Sequence, residues 1–210
     1  MPEPSPDSSN PSSSPVLQLL ASGLQLWIRQ QCEAVESLEL QLHGSALGLL
    51  RGRLQGVSLV ARRVVYGSLE IEMVELRSDA IQVQMGNLLK GQALQLHHPF
   101  AIEGYVAFTA GGLCRSLCTP QWRGLGDQLV ETLLGLTPLQ EVRIERDRLV
   151  LQAQGMGCDT LPEAVDGHLE LRRADGEQRV ALPGDPNITI REANLEGRLL
   201  QLHGRARVSP

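Results

Sequence analysis

Along a predicted helix from about Val16 to Val35 and just past it, the polar residues Gln18, Ser22, Gln25, Arg29, Glu33 and Glu36 recur at spacings of four, three, four, four and three. On an α-helix those spacings make one stripe. The other positions are mostly apolar: Leu17, Leu19, Leu20, Leu24, Leu26, Trp27 and Ile28. A helix that is apolar over more than half its girth predicts a segment covered by a sheet, or one that also touches lipid. Ser14 before Pro15 supplies a cap with proline in the first turn.

The period then changes to two. Leu38, Leu40 and Leu42 alternate with Glu39, Gln41 and His43; Leu69, Ile71 and Met73 alternate with Glu70 and Glu72. The phase slips at Val74 and Leu76, and a bulge near Met73 follows as an expectation. The alternation returns at Ile81–Met85, Leu94–Leu96, Val142–Ile144, Leu149–Ala153, His168–Arg172, Ile188–Ile190 and Leu200–Leu202. Each run carries one apolar face and one Gln/Glu/Arg face, as antiparallel sheet does when one side is wet. Asp175-Gly176 between Leu171 and Val180 is a hairpin signal.

Helical spacing interrupts the strands. Thr109 caps a short predicted helix through Leu113 and Leu117. A second runs from Gln121 to Leu134, with Trp122, Leu125, Leu129, Val130, Leu133 and Leu134 opposite Asp127, Gln128 and Glu131. Asn87 to Lys90 reads as one further helical turn. The sum is an α+β fold: a long curved antiparallel sheet wrapped around an N-terminal helix, with two helices inserted mid-chain. Roughly ten one-faced strands are too many for so few helices to cover as a flat sheet. Curvature around the first helix, or a groove filled by acyl chains, resolves the deficit.

Composition narrows the function classes. Hydrophobic residues make up 42% of the 210, so a core is within reach. Nineteen basic against twenty-four acidic residues leave a net charge of −5, and aromatics are 3%. Neither a basic footprint nor a stacking platform for nucleic acid is present. Residues 1–14, rich in Pro and Ser, read as a disordered leader, and 15–208 as a single domain. No basic n-region precedes an apolar segment, and no run is long enough to span a bilayer. The expected location is cytoplasmic or peripheral to a membrane. Cys32, Cys114, Cys118 and Cys158 are expected as thiols; Cys114-x3-Cys118 lacks the redox spacing, and with no histidine within twenty positions except His97 and His98 a zinc site is not expected.

The catalytic motifs fail one by one. In Gly44-Ser45-Ala46-Leu47-Gly48 the glycines stand at the wrong distances from the serine for a nucleophile elbow. His97 and His98 are neighbours that would face opposite sides of a strand, and a turn before Pro99 accounts for them better. His43, His168 and His203 sit on polar faces. Lys90 lacks a phosphate-loop frame, and Gly155-Met156-Gly157 lacks the third glycine of a dinucleotide site. Glu70 and Glu72 share a strand face that solvent explains. No enzyme, cofactor or metal is expected. A subset of Arg51, Arg53, Arg62, Arg63, Arg143, Arg146, Arg148, Arg172 and Arg173 could pair with phosphate, although most sit among glutamates.

The run Gly56-Val57-Ser58-Leu59-Val60-Ala61-Arg62-Arg63-Val64-Val65-Tyr66-Gly67-Ser68-Leu69 resembles the LmeA-like phospholipid-binding family. Val74-Glu75-Leu76, Ala80-Ile81-Gln82-Val83, Asn87-Leu88-Leu89-Lys90-Gly91, Ile102-Glu103-Gly104 and Val106-Ala107-Phe108-Thr109 continue the likeness. It covers nearly all of the chain after the leader and is strongest to the cyanobacterial branch, through Leu26-Trp27-Ile28-Arg29. The resemblance implies a tubular lipid-binding fold, a non-enzymatic role, and phospholipid or a membrane surface as partner. Family members that look exported carry a signal peptide, which this sequence departs from, so their envelope role does not transfer with the lipid binding. Leu20, Leu24, Trp27, Leu129 and Leu133 are the expected walls of an acyl-chain groove between sheet and helix. The same residues would serve a dry core, and a ligand-free interaction or assembly module is the alternative.

Overall fold

The computed structural model describes residues 15–82 and 98–209. The strands predicted at Val83–Met85 and Leu94–Leu96, the turn at Asn87–Lys90, the Ser14 cap, His97 and the leader lie outside them. The chain is α+β with two helices mid-chain, as its periodicities predict. Helix α1 (Pro15–Gln31) leads into β1 (Ala34–His43), α2 (Ala46–Leu50), β2 (Arg53–Leu54), β3 (Gly56–Tyr66), β4 (Leu69–Ser78) and β5 (Ile81–Gln82). After β6 (Phe100–Thr109) come α3 (Ala110–Cys118) and α4 (Arg123–Leu134). Then follow β7 (Glu141–Glu145), β8 (Arg148–Ala153), β9 (Met156–Val165), β10 (His168–Arg173), β11 (Arg179–Ala181), β12 (Ile188–Glu196) and β13 (Leu199–Val208).

The strands form an open six-stranded sheet, β1-β3-β4-β6-β13-β12, and a five-stranded one, β11-β10-β9-β8-β7. All their pairings are antiparallel. A backbone bond of 2.8 Å from Ile190 N in β12 to Gly167 O, in the β9–β10 turn, ties one sheet to the other. Asp175 and Gly176 lie in the β10–β11 hairpin they predict.

Pairing turns one-dimensional alternation into faces. One cross-strand row of the large sheet runs Leu38, Ala61, Val74, Val106, Leu202, Ala193. The next row, on the opposite face, runs Glu39, Val60, Glu75, Tyr105, His203, Glu192. The large sheet therefore has one almost wholly apolar side.

The expected bulge near Met73 is absent, because the β3–β4 register is the same at Arg62↔Met73 and Val64↔Ile71. The phase slip is real but crosses three strands at one level. Leu38 and Val35, Ala61 and Val64, and Val74 and Ile71 are each three residues apart, yet all six join one cluster. Arg63, between them on β3, has φ of 46°, a left-handed backbone that breaks the two-residue alternation without adding a residue to the ladder. Beyond this level β4 parts from β6, and α3 takes its place. Thr109 caps α3 by accepting from Gly112 N at 3.0 Å, and Ser116 Oγ accepts from Glu70 N at 2.8 Å.

Two cores result. The larger joins α3, α4, the five-stranded sheet and the Phe108–Leu200 end of the large sheet. The smaller is centred on Leu38, Ala61 and Val64, with Ile28 of α1 and Cys32 just after it packed against it. Helix α1 stops where Glu33 N donates to Val65 O at 2.9 Å and the chain joins the sheet. It doubles back along β1, and Gln25 Nε2 donates to Leu38 O. The sheet reaches round one side of α1 only, leaving Leu19, Leu26 and Trp27 75%, 60% and 57% exposed.

Candidate functional site

Spacing places leucines around one hollow. Leu113 and Leu117 stand one turn apart on α3, as do Leu125 and Leu129 on α4. Leu149 and Leu151 on β8, Leu169 and Leu171 on β10, and Leu200 and Leu202 on β13 are each two apart on one strand face. Together with Leu69, Phe108, Trp122, Val142, Leu182 and Pro183 they enclose a cavity of about 200 Å³. No titratable side chain lines it. Phe108, Leu129, Val142, Leu149, Leu151, Leu171 and Leu200 are buried and form its floor. Leu69, Leu113, Leu117, Trp122, Leu125, Leu169, Leu182 and Leu202 are half-buried, and Pro183 is the exposed residue of the lining. The single polar atom of the Trp122 ring is satisfied, since Nε1 donates to Gly67 O at 2.7 Å. The wall facing the hollow therefore carries hydrocarbon and no unmet donor.

A larger hollow of about 530 Å³ lies over the polar face of the large sheet, among Arg77, Glu103, Tyr105, Arg191 and His203. Part of its charge is already paired. Arg191 meets Glu103 at 3.1 Å, and Arg205 bridges Asp79 at 3.2 Å and Glu103 at 3.5 Å. The Tyr105 and His203 rings pack at a tilt, with centroids 4.8 Å apart. Burial, then the nearby Glu75 and Glu196 carboxylates, pushes the Tyr105 hydroxyl pKa up. An open, solvated hollow offers less to an apolar ligand than a smaller dry one, and its paired groups would have to exchange existing partners.

Four of the nine arginines considered for phosphate, Arg63, Arg143, Arg172 and Arg173, are held in ion pairs. Arg63 pairs with Glu36, Arg172 with Glu163 at 2.7 Å, and Arg143 with Glu145 at 3.4 Å. Arg173 pairs with Asp175 and holds that carboxyl below its ordinary range through a side-chain hydrogen bond. Ser45 of the failed elbow caps α2, accepting from Gly48 N at 3.0 Å.

The five expected wall residues do not converge. Leu129 is in the cavity floor, while Leu133, one turn on, is buried in the same core outside the lining. Leu20, Leu24 and Trp27 stand on α1, at the other end of the large sheet, 41%, 42% and 57% exposed. Reading the sequence missed Phe108, Leu151, Leu171, Leu200 and Trp122. The period-two runs held the signal for Leu151, Leu171 and Leu200, but not which sheet face would meet α4. The apolar row from Leu38 to Leu202 connects the two places, and Ile71 packs against both cores.

Fold and cavity together define an α+β protein with open antiparallel sheets and a hydrocarbon-walled hollow. The family model for LmeA-like phospholipid-binding proteins matches residues 13–208, and the chain belongs to that family. No curated protein and no solved structure matches it. Among the described residues, no helix is long and apolar enough to cross a membrane.

Proposed function

We propose that the chain holds phospholipid without transforming it, with an acyl chain inserted between α3, α4 and the two sheets. The observation that carries this reading is the almost wholly apolar lining of the cavity, which holds no titratable side chain and reaches the surface at Pro183. An apolar cavity of about 150 Å³ stays dry and admits a benzene-sized body. A hollow of about 200 Å³ thus suits the end of one acyl chain. Each buried methylene contributes about 0.8 kcal/mol, so roughly six of them contribute about 5 kcal/mol. The rest of the chain would follow the apolar row of the large sheet, and the headgroup would stay outside. The expected groove thereby moves from α1 to α3 and α4, and the protein works at or near a membrane surface.

Native mass spectrometry after incubation with phospholipid tests this. The wild type should gain one lipid mass. Leu169→Trp, which fills the mouth from β10, should lose that mass while remaining folded. A wild type that stays lipid-free, or a Leu169→Trp variant that loads equally well, would overturn the cavity reading and favour a ligand-free assembly module.

A further inference from the structure

Helix α1 is the least covered apolar element among the described residues. With 3.6 residues per turn, Leu19, Leu20, Leu24, Leu26 and Trp27 occupy an arc of about 160°. All five are exposed, between 41% and 75%. Gly23 lies inside the arc, with nothing within 4 Å of the place a Cβ would take, and Gln30 and Gln31 enter it in the last turn only. The side turned to the protein is a different one, carrying Leu17 and Ile28, with Cys32 following just past the helix end. Leu47 of α2 adds a further side chain, 66% exposed, beyond the end of β1 towards which α1 doubles back.

We propose that this arc is a docking surface for a phospholipid bilayer, on which α1 lies in the plane of the interface. Three observations select a bilayer. The seventeen residues of α1 hold one charge, Arg29, and no carboxylate, in a chain whose net charge is −5. The element that would meet anionic lipid is thus free of the acidic groups abundant elsewhere, and its tryptophan suits the headgroup boundary. An arc this broad exceeds the narrow seam used by a pair of helices and fits a continuous fluid surface. Finally, the apolar row beginning at Leu38, beneath α1, ends at Leu202 in the cavity wall. Docking would set that row beside the source of lipid, and this last point alone rests on the cavity reading.

The test is flotation of the full chain with phosphatidylcholine vesicles, with and without phosphatidylglycerol. Wild type should float, more strongly with phosphatidylglycerol because of Arg29. The triple variant Leu19→Ser, Leu26→Ser, Trp27→Ser should lose roughly tenfold or more in vesicle partition. A control with Met156→Ser and Ile188→Ser, which removes exposed apolar groups elsewhere, should float like wild type. Failure of the wild type to float, or equal flotation of the triple variant, would overturn the proposal. So would a wild-type dimer that the triple variant abolishes without any change in flotation, since a second copy would then be the occupant. Lipid supplied as a cyclodextrin complex bypasses the bilayer. The triple variant should load it normally, and Leu169→Trp should float normally, so docking and cavity can fail separately.

Discussion

Two leucine-rich helices meet opposite fates in this molecule. On α4, Leu129, Val130 and Leu133 are 2%, 0% and 1% exposed. On α1, side chains of the same kind stand largely in solvent. The difference lies in the neighbours. Helix α4 meets α3 and strands of the five-stranded sheet, whereas α1 has the β1 margin of one sheet. Apolar content states what a helix could bury; the number of layers around it decides what it does bury.

The strongest way to break this comparison is truncation in both helices. Leu133→Ala should cost about 2–5 kcal/mol in urea unfolding, because its buried site cannot fully collapse. Leu26→Ala on α1 should change stability by less than about 0.5 kcal/mol, as exposed positions do. Equal losses would mean that α1 is covered in solution by something the described residues do not include.

Strands with one wet face were legible, and so were both inserted helices and the Thr109 cap, because each rests on local periodicity or a single side-chain bond. Strands β3, β6 and β9 were harder. In β3 the left-handed Arg63 breaks the alternation, and β9 contains Pro162. That proline is tolerated because it lies beyond the last β8–β9 pair, Leu149↔Thr160, where no ladder bond from its nitrogen is needed. The cavity was legible only in its components. Which leucines face one another depends on how two sheets and two helices are stacked, a relation between residues such as Leu117 and Leu202 that no local window contains. The assignment of Leu20, Leu24 and Trp27 to the same groove as Leu129 failed for this reason.

Glycine positions sharpen the contrast through opposite signs. A Cβ on Gly126 would stand 3.0 Å from Leu117 O and from Leu139 Cδ2, where α4 approaches α3 closely. Gly126→Ala should therefore cost about 1–3 kcal/mol through overpacking. Gly23→Ala, placed in open space on α1, should instead stabilise by about 0.5–1 kcal/mol through helix propensity. Thermal unfolding of the two variants should shift the midpoint in opposite directions, and a shared direction would show that α1 is as confined as α4.

The smallest effect belongs to the junction between the regions. Arg115 of α3 donates to both carboxylate oxygens of Glu70 on β4, at 2.6–3.1 Å, just where α3 replaces β6 beside β4. The Arg115 hydrogen bond holds the Glu70 carboxyl below its ordinary range, against a smaller opposing push from burial. The Arg115 side chain is 65% exposed, so solvent screening limits the pair to about 1 kcal/mol or less. A depressed carboxylate pKa stabilises the fold fully above the unfolded-state value, and the contribution fades as pH falls through the folded-state value. The deficit of Arg115→Met relative to wild type should accordingly be greatest at neutral pH and vanish on acidification below the carboxylate range. A deficit that persists in acid would assign Arg115 a packing role, its aliphatic stem rather than its charge joining α3 to β4.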